Sequence, residues 1–179
     1  MRLLLIILIF WMPTGCSTID MKQYSSNEPR LQLYDYFQGQ TKGWGIVQDR
    51  KGTLMRQFTV DIAGTVNSDE TLTLVEKFNW SDGEKSQRIW TLSRVDDHSL
   101  TGKAADVIDS ASGTLYGNVL NWQYTLNLEL DDSTWKIKFD DWMFLVSDNL
   151  LLNKATMSKF GFKVGEVTIV FEKIANHNR

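Results

Sequence analysis

From Lys42 onward the chain switches between apolar and polar residues at almost every position, in runs rich in Val, Ile, Thr and aromatic side chains. Turn-forming clusters interrupt these runs at 49–52, 64–69, 81–83, 96–99, 109–113, 131–133, 147–149 and 161–165. No window of twelve residues in this region carries the 3.6-residue period of a helix. The spacing predicts nine or ten long strands joined by short loops. Short loops cannot make parallel crossovers, so the strands form an antiparallel up-and-down meander. A twisted sheet of that many strands closes on itself and hides its edges. The predicted fold is therefore all-β, a barrel of about 8–10 strands, with a two-sheet sandwich as the alternative. Ahead of it, Leu31, Leu33, Tyr34 and Phe37 partly match a helical period, although their mixed spacing also suits a strand.

The alternation places charges on apolar faces. Leu54, Phe58, Val60 and Ile62 share a face with Arg56; Leu72, Leu74, Phe78 and Trp80 share one with Glu76; Trp90 and Leu92 are in phase with Arg88. Ser81-Asp82-Gly83 suits a three-residue hairpin loop with Gly83 in the left-handed position, and that loop sets the register. Glu76 then falls opposite Arg88, Leu74 opposite Trp90, and Leu72 opposite Leu92. A two-residue loop would reverse the parity. Two readings follow: a buried ion pair that fixes register, or a polar spot on the wall of a ligand cavity. In Phe139-Asp140-Asp141-Trp142-Met143 the two aspartates point to opposite faces of a strand, so they do not form a proton-sharing dyad. Asp141 is the inward one, available to Arg56 or Arg88. Asn153 and Lys154 lie in a strand whose facing the pattern leaves open.

The N-terminus has a different character. One basic residue, Arg2, precedes an unbroken apolar run over 3–12, then Pro13-Thr14-Gly15-Cys16 and a polar stretch. Ten apolar residues are about half a membrane span, so this is the layout of a signal peptide over residues 1–15. Thr14-Gly15-Cys16 resembles the end of a bacterial lipobox, which makes Cys16 the lipidated first residue of the mature chain and residues 16–29 its polar tether. Residues 30–179 then form the barrel domain. Lipidation consumes the only cysteine and excludes thiol chemistry. Ser17 after Cys16, rather than aspartate, implies by the sorting rule an outer-membrane anchor facing the periplasm. Losing residues 1–15 removes one of 19 basic residues and none of 22 acidic ones, so no basic footprint for nucleic acid remains.

With 42% hydrophobic residues, 12% aromatic ones and two prolines, the 179-residue chain is neither disordered nor a disulfide scaffold. Its length suits one domain with a true core. The two histidines, His98 and His177, have no sequence neighbours that complete a metal site or a triad. No nucleophile elbow, phosphate loop or dinucleotide fingerprint occurs, and no cofactor or enzymatic activity is expected.

Taken together, the lipobox, Gly43-Trp44-Gly45, Glu76-x-Phe78, Asp82-Gly83, Arg88-x-Trp90, Ala105-Asp106-Val107, Gly117-Asn118, Asp140-Asp141-Trp142-Met143 and Lys159-Phe160-Gly161 are similar to a family of uncharacterised proteobacterial lipoproteins known only as a domain of unknown function. The resemblance spans roughly residues 30–174 and implies a lipocalin-like barrel in the cell envelope. It brings no activity or catalytic residues. The expected function is a non-enzymatic binder of a small amphipathic or lipid-like ligand, lined by Arg56, Glu76, Phe78, Arg88, Trp90, Asp106 and Asp141. On this expectation the arginines hold the polar head, and Trp90, Phe78, Leu74 and Phe139 pack on the tail. The alternative is a solid barrel acting as an interaction subunit of an envelope assembly. A hydrolase using Glu76, Asp106 and Asp141 ranks below both.

Overall fold

The computed structural model describes residues 19–130 and 133–175, and the expected signal peptide and Cys16 lie outside them. Ten strands run in sequence: β1 (Gly39–Asp49), β2 (Leu54–Val66), β3 (Leu72–Trp80), β4 (Lys85–Arg94), β5 (Ser99–Lys103), β6 (Ala111–Tyr116), β7 (Val119–Leu130), β8 (Ser133–Ser147), β9 (Leu150–Lys159) and β10 (Phe162–Lys173). Each pairs antiparallel with its sequence neighbours, and β1 pairs with β10 to close the barrel. The architecture is the expected meander, and closure removes the sandwich. Gly83 takes φ +90°, and Glu76 pairs with Arg88, Leu74 with Trp90 and Leu72 with Leu92, the register set by its loop.

One end of the barrel is plugged. The ambiguous segment becomes a short helix, α1 (Leu33–Phe37), with Leu33, Tyr34, Tyr36 and Phe37 all buried across the end of the core. Its polar groups are satisfied by the barrel rim. The Tyr34 hydroxyl donates to the Leu92 carbonyl at 3.2 Å, and the Tyr36 hydroxyl lies 3.1 and 3.0 Å from the carbonyls of Asn149 and Phe171. Lys173 Nζ donates to the carbonyls of Asp35, Tyr36 and Gln38, the C-terminal groups that a helix leaves unpaired.

The half of the barrel above α1 is filled. Ile62, Leu72, Leu120 and Leu151 are under 2% exposed, each contributing about 1.5–3 kcal/mol by burial. Trp122 lies across two glycines of neighbouring strands. A Cβ on Gly102 or Gly113 would come within 2.6 or 2.5 Å of its ring, so both positions require glycine. Trp90 meets Trp122 edge-on at 5.7 Å between centroids.

Within the polar stretch expected as a tether, the segment around Met21–Tyr24 is docked on the wall. Met21–Tyr24 form a single 3-10 turn packed against β6, and the Tyr24 ring meets Trp142 and Phe144 edge-on at 6.4 and 6.5 Å. The Leu31 amide donates to the Gly117 carbonyl at 2.9 Å. Tyr24 is the reason: one aromatic ring in an otherwise polar segment finds an apolar place on the outer face of β8. The chain thus enters the barrel at its plugged end, leaving the opposite end as the mouth.

Candidate functional site

Toward the mouth the interior is mixed: Leu126, Ile137, Phe139 and Ala155 form a second buried cluster on one side, while other inward-facing side chains are only partly buried. Val47, Phe78, Trp80, Tyr124, Met157 and Val167 face inward and keep partial exposure. Between this apolar wall and the filled half lies a polar cluster supplied by β3, β4, β7, β8, β9 and the β5–β6 loop. It contains Glu76, Arg88, Asp106, Tyr124, Asp141 and Asn153.

Arg88 is committed within it. Its Nε and Nη2 donate to Asp106, with Nη2 2.7 Å from Oδ2. Glu76 faces Arg88 across the ladder, but among the described residues the ion pair of Arg88 goes to Asp106 rather than to Glu76, which corrects the expected pairing. Strand alternation could not show this, because Asp106 comes from a loop that crosses to the interior, held by the Asn127 amide donating to its backbone carbonyl. Replacing Asp106 by asparagine is expected to cost about 1–2 kcal/mol. The value stays below that of a fully buried pair because the side chains of Arg88 and Asp106 are 22% and 36% exposed. Urea unfolding at neutral pH checks it, and an R88M/D106L double variant should recover part of the loss.

Arg56 does not join the cluster. It sits at the rim, where Nη2 donates to Asp82 and Glu84 of the β3–β4 turn at 2.9 and 2.8 Å, with the guanidinium 4.0 Å over the Trp80 ring. Both arginines therefore have their charge balanced by carboxylates, and the expectation that they hold an anionic head group is not supported by the geometry.

Arg56 Nε at the rim is a buried donor with no hydrogen-bond partner among the described residues, and the groups that remain in the cluster itself are acceptors. The Tyr124 hydroxyl donates to Asp141 Oδ2 at 3.3 Å, while Asp141 Oδ1 and Asn153 Oδ1 are buried with no hydrogen-bond partner among the described residues. Asp141 is 5% exposed and Asn153 2%. Burial pushes the Asp141 carboxyl up to about 7, opposed by the Asn153 amide and the Tyr124 hydroxyl beside it. Burial also raises Glu76 to about 7, with the Arg88 charge pulling the other way. Tyr124 is raised well above its ordinary value, first by desolvation and then by the Asp141 charge.

Of the seven candidates, Glu76, Arg88, Asp106 and Asp141 meet in this cluster. Trp90 forms its floor, with its ring 5.3 Å from Tyr124, and Phe78 belongs to the aromatic wall with Phe58 and Trp80. Tyr124 and Asn153 are additions. Both were legible in principle, since Tyr124 is two residues from buried Trp122, and Asn153 alternates with Leu151 and Ala155. Lys154 points outward to Glu166 at 3.3 Å. Asp140 faces outward too, accepting from Asn121 and Gln123 at 2.7 and 3.1 Å, so the two adjacent aspartates do not form a dyad. No group of three or more metal-ligating side chains is assembled among the described residues. His98 stacks on Tyr116 at 3.9 Å, and His177 lies outside the described residues.

Two surface concavities lie elsewhere. A groove of about 480 Å³ runs over the outer wall, bordered by Trp44, Ile46, Thr168 and Val170, with Phe58 and Trp80 at its floor. A second of about 400 Å³ lies at the plugged end between α1 and the β4–β5 turn.

A family model described as "Protein of unknown function (DUF3833)" matches residues 10–173. The chain belongs to the DUF3833 family. No curated protein matches the sequence. Among solved structures, the S-type phycobiliprotein lyase from Guillardia theta superposes with a TM-score of 0.58 at 7% identity, covering 82% of this chain and 92% of that one. A protein of unknown function of the DUF3598 family from Nostoc punctiforme gives a TM-score of 0.58 at 12% identity, covering 82% of this chain, which spans half the length of that protein. At these identities the likeness is one of fold, a lipocalin-like barrel.

Proposed function

We propose that this chain binds a small amphipathic ligand in the mouth half of the barrel, and that the ligand's polar head is a hydrogen-bond donor such as an amine, amide or hydroxyl. The observation that carries this reading is the pair of orphaned acceptors, Asp141 Oδ1 and Asn153 Oδ1, turned inward beneath a partly buried apolar wall. An unpaired buried acceptor costs about 1–3 kcal/mol, a cost that a ligand donor relieves. Arg88 and Arg56, already held by carboxylates, offer no charge to an anion. The apolar tail would lie on Phe78, Trp80, Val47 and Val167. Resemblance of fold to a lyase that acts on a phycobiliprotein is compatible with a barrel that receives another molecule, and it carries no more than that.

We place the protein, by its lipobox, in the outer membrane through lipidated Cys16, facing the periplasm. Cys16 is three residues from Ile19, a reach of about 10 Å, and the chain enters at the plugged end.

Native mass spectrometry of the chain released gently from bacterial envelopes tests the binding role. A co-purifying molecule bearing an N–H or O–H head is the expected result. A clean unliganded mass, repeated after incubation with envelope lipids, would overturn it. The second reading, an interaction subunit, is favoured by the outer groove with Trp44 44% and Val170 40% exposed. Crosslinking in intact cells that captures a partner through Trp44 would support it.

A further inference from the structure

The mouth carries an exposed apolar tip that ligand binding inside the barrel does not require. Phe160 and Phe162 flank the β9–β10 turn and are 88% and 77% exposed. In the adjoining hairpin Met55 and Leu54 are 61% and 49% exposed, and Trp135 at the start of β8 is 39% exposed. β2, β1, β10, β9 and β8 are consecutive around the barrel, so these side chains share one arc of the rim. Single exposed apolar residues such as Leu54 and Met55 are ordinary, but Trp135 and Phe160, bridged by Lys159, together with Phe162 across the turn form a set that marks a contact surface.

The turn itself argues against accident. Phe160 has φ +52° and Gly161 φ +82°, the left-handed pair of a tight hairpin turn. Asparagine, aspartate or glycine fills the first position with least strain, whereas a bulky side chain there is an outlier. The sequence accepts both that strain and an exposed phenyl ring at the same residue.

The charge around the tip names the occupant. Lys159 Nζ lies 2.9 Å from the centroid of the Trp135 ring and 5.3 Å from that of Phe160. Arg50 and Lys51 are exposed in the β1–β2 turn, and Lys163 follows Phe162. The carboxylates described on this arc are engaged: Asp49 accepts from the Lys51 and Thr53 amides, and Glu166 is bridged by Lys154 and Lys163. Aromatic rings ringed by lysine and arginine suit the headgroup region of an anionic bilayer, where the rings enter the acyl boundary and the cations meet phosphates. We infer that the Phe160–Phe162 tip docks the mouth of the barrel onto an anionic phospholipid surface. The inference stands on the rim alone and is independent of what fills the barrel.

Site-specific photocrosslinking tests it. The full chain carrying C16S, which removes the acyl acceptor, receives a photoreactive phenylalanine analogue at position 160. A matched protein receives it at position 146, where Val146 is 58% exposed near the plugged end. Each is irradiated with vesicles of phosphatidylethanolamine, with or without phosphatidylglycerol. Lipid adducts at 160 should exceed those at 146 by at least about fivefold and require phosphatidylglycerol. K51E/K159E should reduce them by at least about twentyfold, and high salt should act in the same direction. Equal adducts at both positions, adducts indifferent to phosphatidylglycerol, or an adduct to a second copy of the chain would each overturn the inference.

Discussion

Replacing Asp141 by asparagine should stabilise the folded chain by about 2–4 kcal/mol at about pH 8 and by almost nothing near pH 4. In the folded state the Asp141 carboxyl is raised from 3.8 to about 7 by burial. Between those two values the folded protein holds a proton that the unfolded chain has released. The contribution of Asp141 to stability is therefore greatest below about pH 4, falls as pH rises through 4 to 7, and is flat above. An asparagine carries no charge to desolvate, and its Nδ2 can donate to the orphaned Asn153 Oδ1. Glu76, raised to about 7, follows the same sign, so E76Q should act in the same direction with a somewhat smaller effect. The exposed carboxylates Asp49, Asp69, Asp82 and Asp96 are lowered by hydrogen bonds and act oppositely, so the difference between variant and parent is the quantity to read. Denaturant unfolding across this range measures it. A D141N protein less stable than its parent at pH 8 would mean that the carboxylate is satisfied in the native state, and the orphaned acceptor would lose its significance.

Truncating Trp122 to alanine should cost about 3–5 kcal/mol, the largest loss expected from any single change in the filled half. The ring is 4% exposed, lies against Gly102 and Gly113, and packs edge-on with Trp90. Gly113→Ala alone is also destabilising, because its new Cβ meets the ring. In the W122A background the same Gly113→Ala should be neutral or favourable, since the obstacle is gone. A double-mutant cycle with coupling well above 1 kcal/mol is the expected result. Additive effects would mean that the closed half is loosely filled, and the division of the barrel into a solid half and a receptive half would fail.

Much of this architecture is visible in the chain because strand alternation is a strict code. Gly83 fixes one hairpin, and through it the facing of Leu72, Leu74, Glu76, Trp90 and Leu92. The same parity turns Asp141 inward and Asp140 outward. What alternation cannot carry is the content of loops and the reach of long side chains. Asp106 enters the interior from a loop, so the partner of Arg88 is invisible to a strand-by-strand reading. Arg56 has the correct parity, yet its side chain extends along the wall to Asp82 and Glu84 at the rim. Tyr24 reads as one aromatic residue in a polar tether, and only the assembled barrel supplies Trp142 and Phe144 for it to pack against. These misses reverse the chemistry of the site, from arginines awaiting an anion to carboxyl and amide oxygens awaiting a donor.

The most direct test of that reversal compares two amphipaths with the same tail. Dodecylamine and dodecyl sulfate, each below its micelle concentration, are titrated calorimetrically into the protein, its E76Q variant and its D141N variant. Saturable binding of the amine is expected, tightening as pH rises through about 7, weaker in both variants, and with no counterpart for the sulfate. Equal or tighter binding of dodecyl sulfate, or amine binding unchanged in E76Q and D141N, would contradict it.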